Sequence, residues 1–106
     1  MILKMNFMKK DQIMTEIEVD YKTRTVKIEN KTSVLLDRAF GIIENPTFED
    51  YEEMLEDRCL PRTRDRLPLA LKSLGVPYYD PLLIVRKTKG YIAGDSYWID
   101  IVEEIL

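Results

Sequence analysis

From Met14 to Lys31, apolar and polar residues take turns along the chain. Ile17, Val19 and Tyr21 alternate with Glu16, Glu18 and Asp20. Val26 and Ile28 alternate with Thr25, Lys27 and Glu29. A period of two is the period of a strand with one face covered and one face wet, so this stretch predicts two half-buried strands. The polar Lys22-Thr23-Arg24 between them is the natural hairpin loop. Ahead of it, Met1-Ile-Leu-Lys-Met-Asn-Phe-Met8 is apolar but too short and too interrupted to be a signal peptide or a membrane span. Residues 1–12 read either as a first strand or as a poorly ordered lead.

Past residue 32 the spacing changes to that of helices. Ser33–Phe40 could bring Val34, Leu35, Ala39 and Phe40 onto one face, with Gly41 as a stop. After Asn45-Pro46, Thr47 opens the clearest helix. Its hydroxyl and the Asp50 carboxylate have the spacing of a capping box, and Phe48, Tyr51, Met54 and Leu55 share a face. A second helix is expected from Asp65 or Arg66, with Pro68 in its first turn and Leu67, Ala70, Leu71 and Leu74 on its apolar side. Gly75 ends it. Asp80-Pro81 reads as cap and first position of a third helix, with Leu82, Ile84 and Val85 inward and Lys87, Lys89 and Gly90 at its end. Two strands are expected around Ala93-Gly94-Asp95-Ser96. Tyr97, Ile99 and Ile101 alternate with Trp98 and Asp100, and Glu103-Glu104 leaves a ragged acidic end. Strands, then helices, then a strand predict a single α+β domain over residues 1–106. In it an antiparallel hairpin packs against three short helices, and a Tyr97–Val102 strand returns to the sheet.

Composition narrows the chemistry. The 106 residues are 45% apolar and 33% charged, a globular profile, and the net charge of −3 conceals blocks of opposite sign. Residues 47–57 hold six acids and no base, whereas residues 58–72 hold five bases and one acid. A chain without histidine lacks the usual general base near neutral pH and the commonest metal ligand. With Cys59 as the single cysteine there is no intrachain disulfide, which suits a reducing cytoplasm. Gly90 and Gly94 do not have the spacing of a phosphate loop, and no loop of calcium-site type is present. No cofactor, metal or membrane association is expected.

Four features carry alternative readings. Arg58, Arg62, Arg64 and Arg66 form either an anion grip or a turn whose arginines pair with the acidic helix before it. Cys59 has arginine neighbours that favour a thiolate, but without a histidine it reads better as a small buried apolar residue. The acids of Glu49–Asp57 either imitate nucleic-acid phosphates or form an ordinary solvated helix face. Among Tyr78, Tyr79, Tyr91, Tyr97 and Trp98, some belong to the core and some to a partner surface. Tyr97 and Trp98, adjacent on one strand, must face opposite ways.

Taken together, Pro46-Thr-Phe-Glu-Asp-Tyr-Glu-Glu53, Arg58-Cys-Leu-Pro-Arg-Thr-Arg64, Leu74-Gly75, Tyr79-Asp80-Pro81, Lys87-Thr88-x-Gly90 and Asp95-x-x-Trp98-Ile99 resemble a group of small bacterial proteins. These in turn are similar to the segment that precedes the kinase core in some HipA-like toxin systems. The resemblance spans roughly residues 34–101 and brings no catalytic residue with it. The chain has no nucleotide site or catalytic aspartate set of a kinase. The resemblance therefore implies a free-standing accessory segment of a toxin–antitoxin system with a HipA-like kinase as protein partner.

The expectation is a non-enzymatic interaction or regulatory module in the cytoplasm, with a partner surface centred on Arg62, Arg64, Tyr79, Asp80 and Trp98. Two alternatives stand beside it. One is a nucleic-acid-binding protein using the Arg58–Arg66 turn. The other is an acidic inhibitor that presents Glu49–Asp57 as a phosphate mimic, of the kind encoded on mobile elements.

Overall fold

The computed structural model describes residues 1–106. In chain order it contains β1 (Ile2–Lys9), β2 (Gln12–Asp20), β3 (Thr25–Asn30), α1 (Phe48–Asp57), α2 (Leu67–Leu74), α3 (Pro81–Thr88) and β4 (Tyr97–Ile105). The strands form one antiparallel sheet in the order β3-β2-β1-β4. The α+β class, the hairpin, the three helices and the returning C-terminal strand are therefore those the sequence predicts. The opening residues are a strand, and an inner one: β1 pairs with β2 on one side and β4 on the other.

Register explains how the sheet acquires one dry face. Leu3 lies opposite Val19, which lies opposite Val26, and Met5, Ile17 and Ile28 form the next row. Met5 and Phe7 face Ile101 and Ile99 across the other seam. These residues, with Tyr51, Leu55, Phe48 and Val85 from the helices, make the main core. The opposite face is charged, with Lys4 bridging Glu18 and Glu103, and Lys31 bridging Glu16 and Glu29.

Local chemistry sets the helices. Thr47 accepts from the Asp50 amide while the Asp50 carboxylate accepts from the Thr47 amide, so the capping box of α1 is complete. Phe48, Tyr51, Met54 and Leu55 are all buried. The Asp80 carboxylate caps α3 through the amides of Leu82 and Leu83, with Pro81 at the first position. Ile84 and Val85 are buried, and Leu82 packs against the main core. Gly75 closes α2 in the left-handed conformation. α2 does not reach the sheet. Its Leu71 joins Val76 and Ile84 in a small second cluster.

Three expectations need correction. Ser33–Phe40 is a loop with a single 3-10 turn at Leu35–Asp37, and Val34 and Leu35 are exposed. Side chains divert the backbone there: the Thr32 hydroxyl accepts from the Val34 amide, Arg38 Nε donates to the Thr32 carbonyl, and Asp37 is drawn to Lys9 and Tyr97. The tail holds one strand instead of two, because Gly90 to Ser96 is occupied by turns that hold Arg58. The acidic end is not ragged. A bulge near Val102 shifts the pairing, which puts Glu103 beside Lys4 on the charged face and Glu104 beside Arg86 of α3.

Candidate functional site

A groove of about 870 Å³ runs between α2, the α1–α2 turn and the segment after α3. Its apolar wall includes Leu69, Leu74, Ile84, Tyr91 and Ile92, and Arg64, Asp65 and Arg66 line it from the turn. Leu69 is 62% exposed and Tyr91 56% exposed, so the groove leaves large apolar surface open to solvent. Arg64 and Arg66 are exposed and form no ion pair, while Asp57 and Asp65, also in the wall, are equally unpaired.

The back of the groove is held by Arg58. Its Nε donates to the Gly90 carbonyl at 2.9 Å, its two terminal nitrogens reach the Asp95 carboxylate at 3.0 Å each, and one of them also donates to the Tyr97 carbonyl at 2.8 Å. This arginine thus ties the end of α1 to the α3–β4 connection. Gly90 adopts φ +68°, and a Cβ there would sit 3.3 Å from the Arg58 Cβ and 3.4 Å from Ile99, so both conformation and space call for glycine. The Asp95 carboxyl is held below its ordinary range, chiefly by the hydrogen bond from Arg58.

Cys59 lies beside this clamp, half-buried, with its thiol directed at the Leu55 carbonyl, 3.2 Å away. Burial, followed by the nearby Glu56 charge, pushes the thiol up to about 12. It is protonated at neutral pH, the opposite of an activated nucleophile.

The structure scatters the five sequence-nominated residues around the groove. Arg64 lines it. Arg62 pairs with Glu56 and stacks on the Tyr79 ring at 4.2 Å, and the Tyr79 hydroxyl donates to the carbonyl of Leu60, another wall residue. Arg62 and Tyr79 are therefore brought together, at the turn. The carboxylate of Asp80 is engaged as the α3 cap. Trp98 lies on the charged side of the sheet, in register with Met8, and its indole donates to the Lys10 carbonyl. Its ring stacks on Tyr91 at 5.5 Å and 14°, so it contacts the groove wall from behind without lining it. Leu69, Arg66 and Ile92 are wall residues not named in the sequence-level partner surface. The signal for Leu69 was its place outside the stripe of Leu67, Ala70, Leu71 and Leu74.

The residues that carry the family resemblance are largely joints of the fold. Thr47 and Asp50 cap α1, Gly75 ends α2, Asp80 and Pro81 start α3, and Arg58, Gly90 and Asp95 make the clamp. Comparison of the chain with protein-family models, with curated proteins and with solved structures finds no match.

Proposed function

We propose that this domain is a non-enzymatic interaction module and that the groove beside α2 is its working surface for a protein partner. The observation that carries this reading is the grouping of exposed Leu69, Tyr91 and Ile92 in one concavity, next to Arg64 and Arg66, neither of which forms an ion pair. Exposed apolar surface rimmed by polar groups is what partner sites present. The resemblance described above names a HipA-like kinase as the partner to test first, and cytoplasmic action agrees with an unpaired cysteine and with the absence of any helix long and apolar enough to cross a membrane. The acidic helix supports a phosphate-mimic reading less well. Glu49 and Glu52 lie near Arg24, Glu56 pairs with Arg62, and Asp50 is engaged in the cap.

A photo-crosslinking residue placed at Leu69 or Ile92, and at Leu36 as an exposed apolar control away from the groove, tests the proposal in the native cell. A discrete protein adduct from the first two positions and not from the third is the expected result. The same adducts from all three, or none from the groove, would count against it.

A further inference from the structure

The sheet ends on two strands, and the two edges are finished differently. On β4 the outward backbone is taken up by the rest of the chain: the Ile99 amide donates to the Lys89 carbonyl at 2.7 Å, and the Tyr97 carbonyl accepts from Arg58. Beyond the bulge, β4 carries Glu103 and Glu104 and no base. β3 is left open. The Lys31 amide donates to the Met14 carbonyl at 2.8 Å, and alternation from there turns the backbone of Glu29, Lys27 and Thr25 toward β2. The amides and carbonyls of Val26, Ile28 and Asn30 then point away from the sheet, where no loop or side chain takes them up. Val26 and Ile28 are half-buried, so the dry face runs unfinished to this edge. On the wet face Lys27 forms no ion pair, since Glu18 opposite it is bridged to Lys4. Glu29 touches Lys31 yet stays 68% exposed.

We propose that β3 pairs with β3 of a second copy of this chain, antiparallel and centred on Ile28, so that two sheets become one. The seam lies apart from the groove, none of whose lining residues belongs to β3. An open edge offers backbone bonds to any strand, and its charges select among them. With Ile28 opposite Ile28 of the second copy, the outward amide and carbonyl of each are satisfied by the other. Lys27 then falls opposite Glu29 of the second copy, and Glu29 opposite its Lys27, in the closer, non-hydrogen-bonded positions of the ladder. A shift by two residues sets Lys27 against Lys27, or Glu29 against Glu29. A larger shift that still joins outward backbone to outward backbone pairs only one of Val26, Ile28 and Asn30 within the strand. The edge is therefore complementary to itself in one register, the condition for a two-fold interface. β4, with acids alone along its free end, has no such register with its own copy.

A six-residue seam is small, so the dimer should be weak and reversible. Sedimentation of the intact chain over a range of concentration, with amide exchange at each, tests it. The amides of Val26, Ile28 and Asn30 should gain protection as dimer forms, whereas those of Lys27 and Glu29, bonded to β2, are protected throughout. Lys27→Glu and Glu29→Lys each set like charges opposite one another twice, and each should raise the dissociation constant roughly tenfold. Mixed together, the two variants should pair with each other, since every facing position is then of opposite sign. That rescue separates a lost contact from a damaged fold. A chain that stays monomeric, a dimer indifferent to both variants, no rescue on mixing, or protection gained elsewhere would overturn the proposal. So would an uncharged strand-forming peptide that protects Ile28 in a chain that does not self-associate, which would make the edge a site for a foreign strand.

Discussion

Arg58 does at the residue scale what a larger protein would leave to a bigger core. Its side chain is only 10% exposed, and its guanidinium satisfies two backbone carbonyls and one carboxylate of the α3–β4 connection and the start of β4. Removing it leaves the Gly90 and Tyr97 carbonyls without their arginine donor and breaks an ion pair whose cationic partner is largely buried, which is more costly than losing a pair exposed on both sides. Arg58→Ala should cost about 3 kcal/mol in urea unfolding, and Arg58→Lys should recover only part of this, since an ammonium cannot match the fork. A cost below about 0.5 kcal/mol, that of a neutral surface change, would refute the clamp. The pair also has a pH signature. The Asp95 carboxyl is held below its ordinary value, mainly by Arg58, so its contribution to stability is complete above the unfolded-state value near 3.8 and is lost as pH falls through the lower folded value. Asp20 and Asp37 are shifted the same way, by the Thr23 backbone and the Tyr97 hydroxyl respectively. Asp95→Asn should therefore make the acid limb of a stability–pH curve shallower without abolishing it. An unchanged limb would mean that the Arg58–Asp95 contact is not formed in solution.

Among the elements, α2 is the least anchored. α1 buries Tyr51 completely and Leu55 to 2% exposure against the main core, whereas α2 buries only Leu71 and does so in the small cluster with Val76 and Ile84. Few buried apolar contacts mean a low cost of local opening. Amide exchange should show α2 opening well below the global free energy, with Leu71→Ala abolishing its protection and leaving that of β1 and β2 intact. By contrast Leu55→Ala should lower global stability by roughly 2–5 kcal/mol. Equal protection of α2 and α1 would show that α2 is integral to the core. The same contrast accounts for what was legible in the sequence. α1 and α3 were readable because cap, period and stop agree within one segment, and β2 and β3 because alternation alone decides which side is wet. The loop at Ser33–Phe40 was not readable as one, since Asp37 is held by Lys9 and Tyr97, which are distant in the chain. The bulge that brings Glu104 to Arg86 belongs to the same class. For the groove, the arginine turn was visible, and the stripe of Leu67, Leu71 and Leu74 marked the packed side of α2 and left Leu69 off it. That Leu69 would share a concavity with Tyr91 and Ile92, which lie beyond α3 in the chain, was not legible, because only the packing of α2 against α3 brings those segments together.

For the molecule as a whole, the strand order gives the first nine residues an importance that their position at the start of the chain conceals. β1 supplies Leu3, Met5 and Phe7 to the core, and β4 has no strand partner except β1. Without β1, β4 is left with Tyr97, Ile99 and Ile101 facing water and its backbone ladder open, while the hairpin of β2 and β3 loses the row that covers Ile17 and Val19. A two-stranded hairpin is marginal in water by itself, and a domain of this size has little stability in reserve. The chain beginning at Asp11 should therefore fail to fold, with dispersed amide signals and the cooperative thermal transition both lost. Removing Glu103–Leu106 should act more mildly. Those residues lie at one end of an edge strand, are exposed, and add the pairing with Ile2–Lys4 and the Arg86 contact of Glu104. That shortened chain should unfold cooperatively at a lower temperature. If instead the chain lacking residues 1–10 melts cooperatively with a sheet signal intact, then β4 must have found another partner, and the order β3-β2-β1-β4 would not be the arrangement that holds this molecule together.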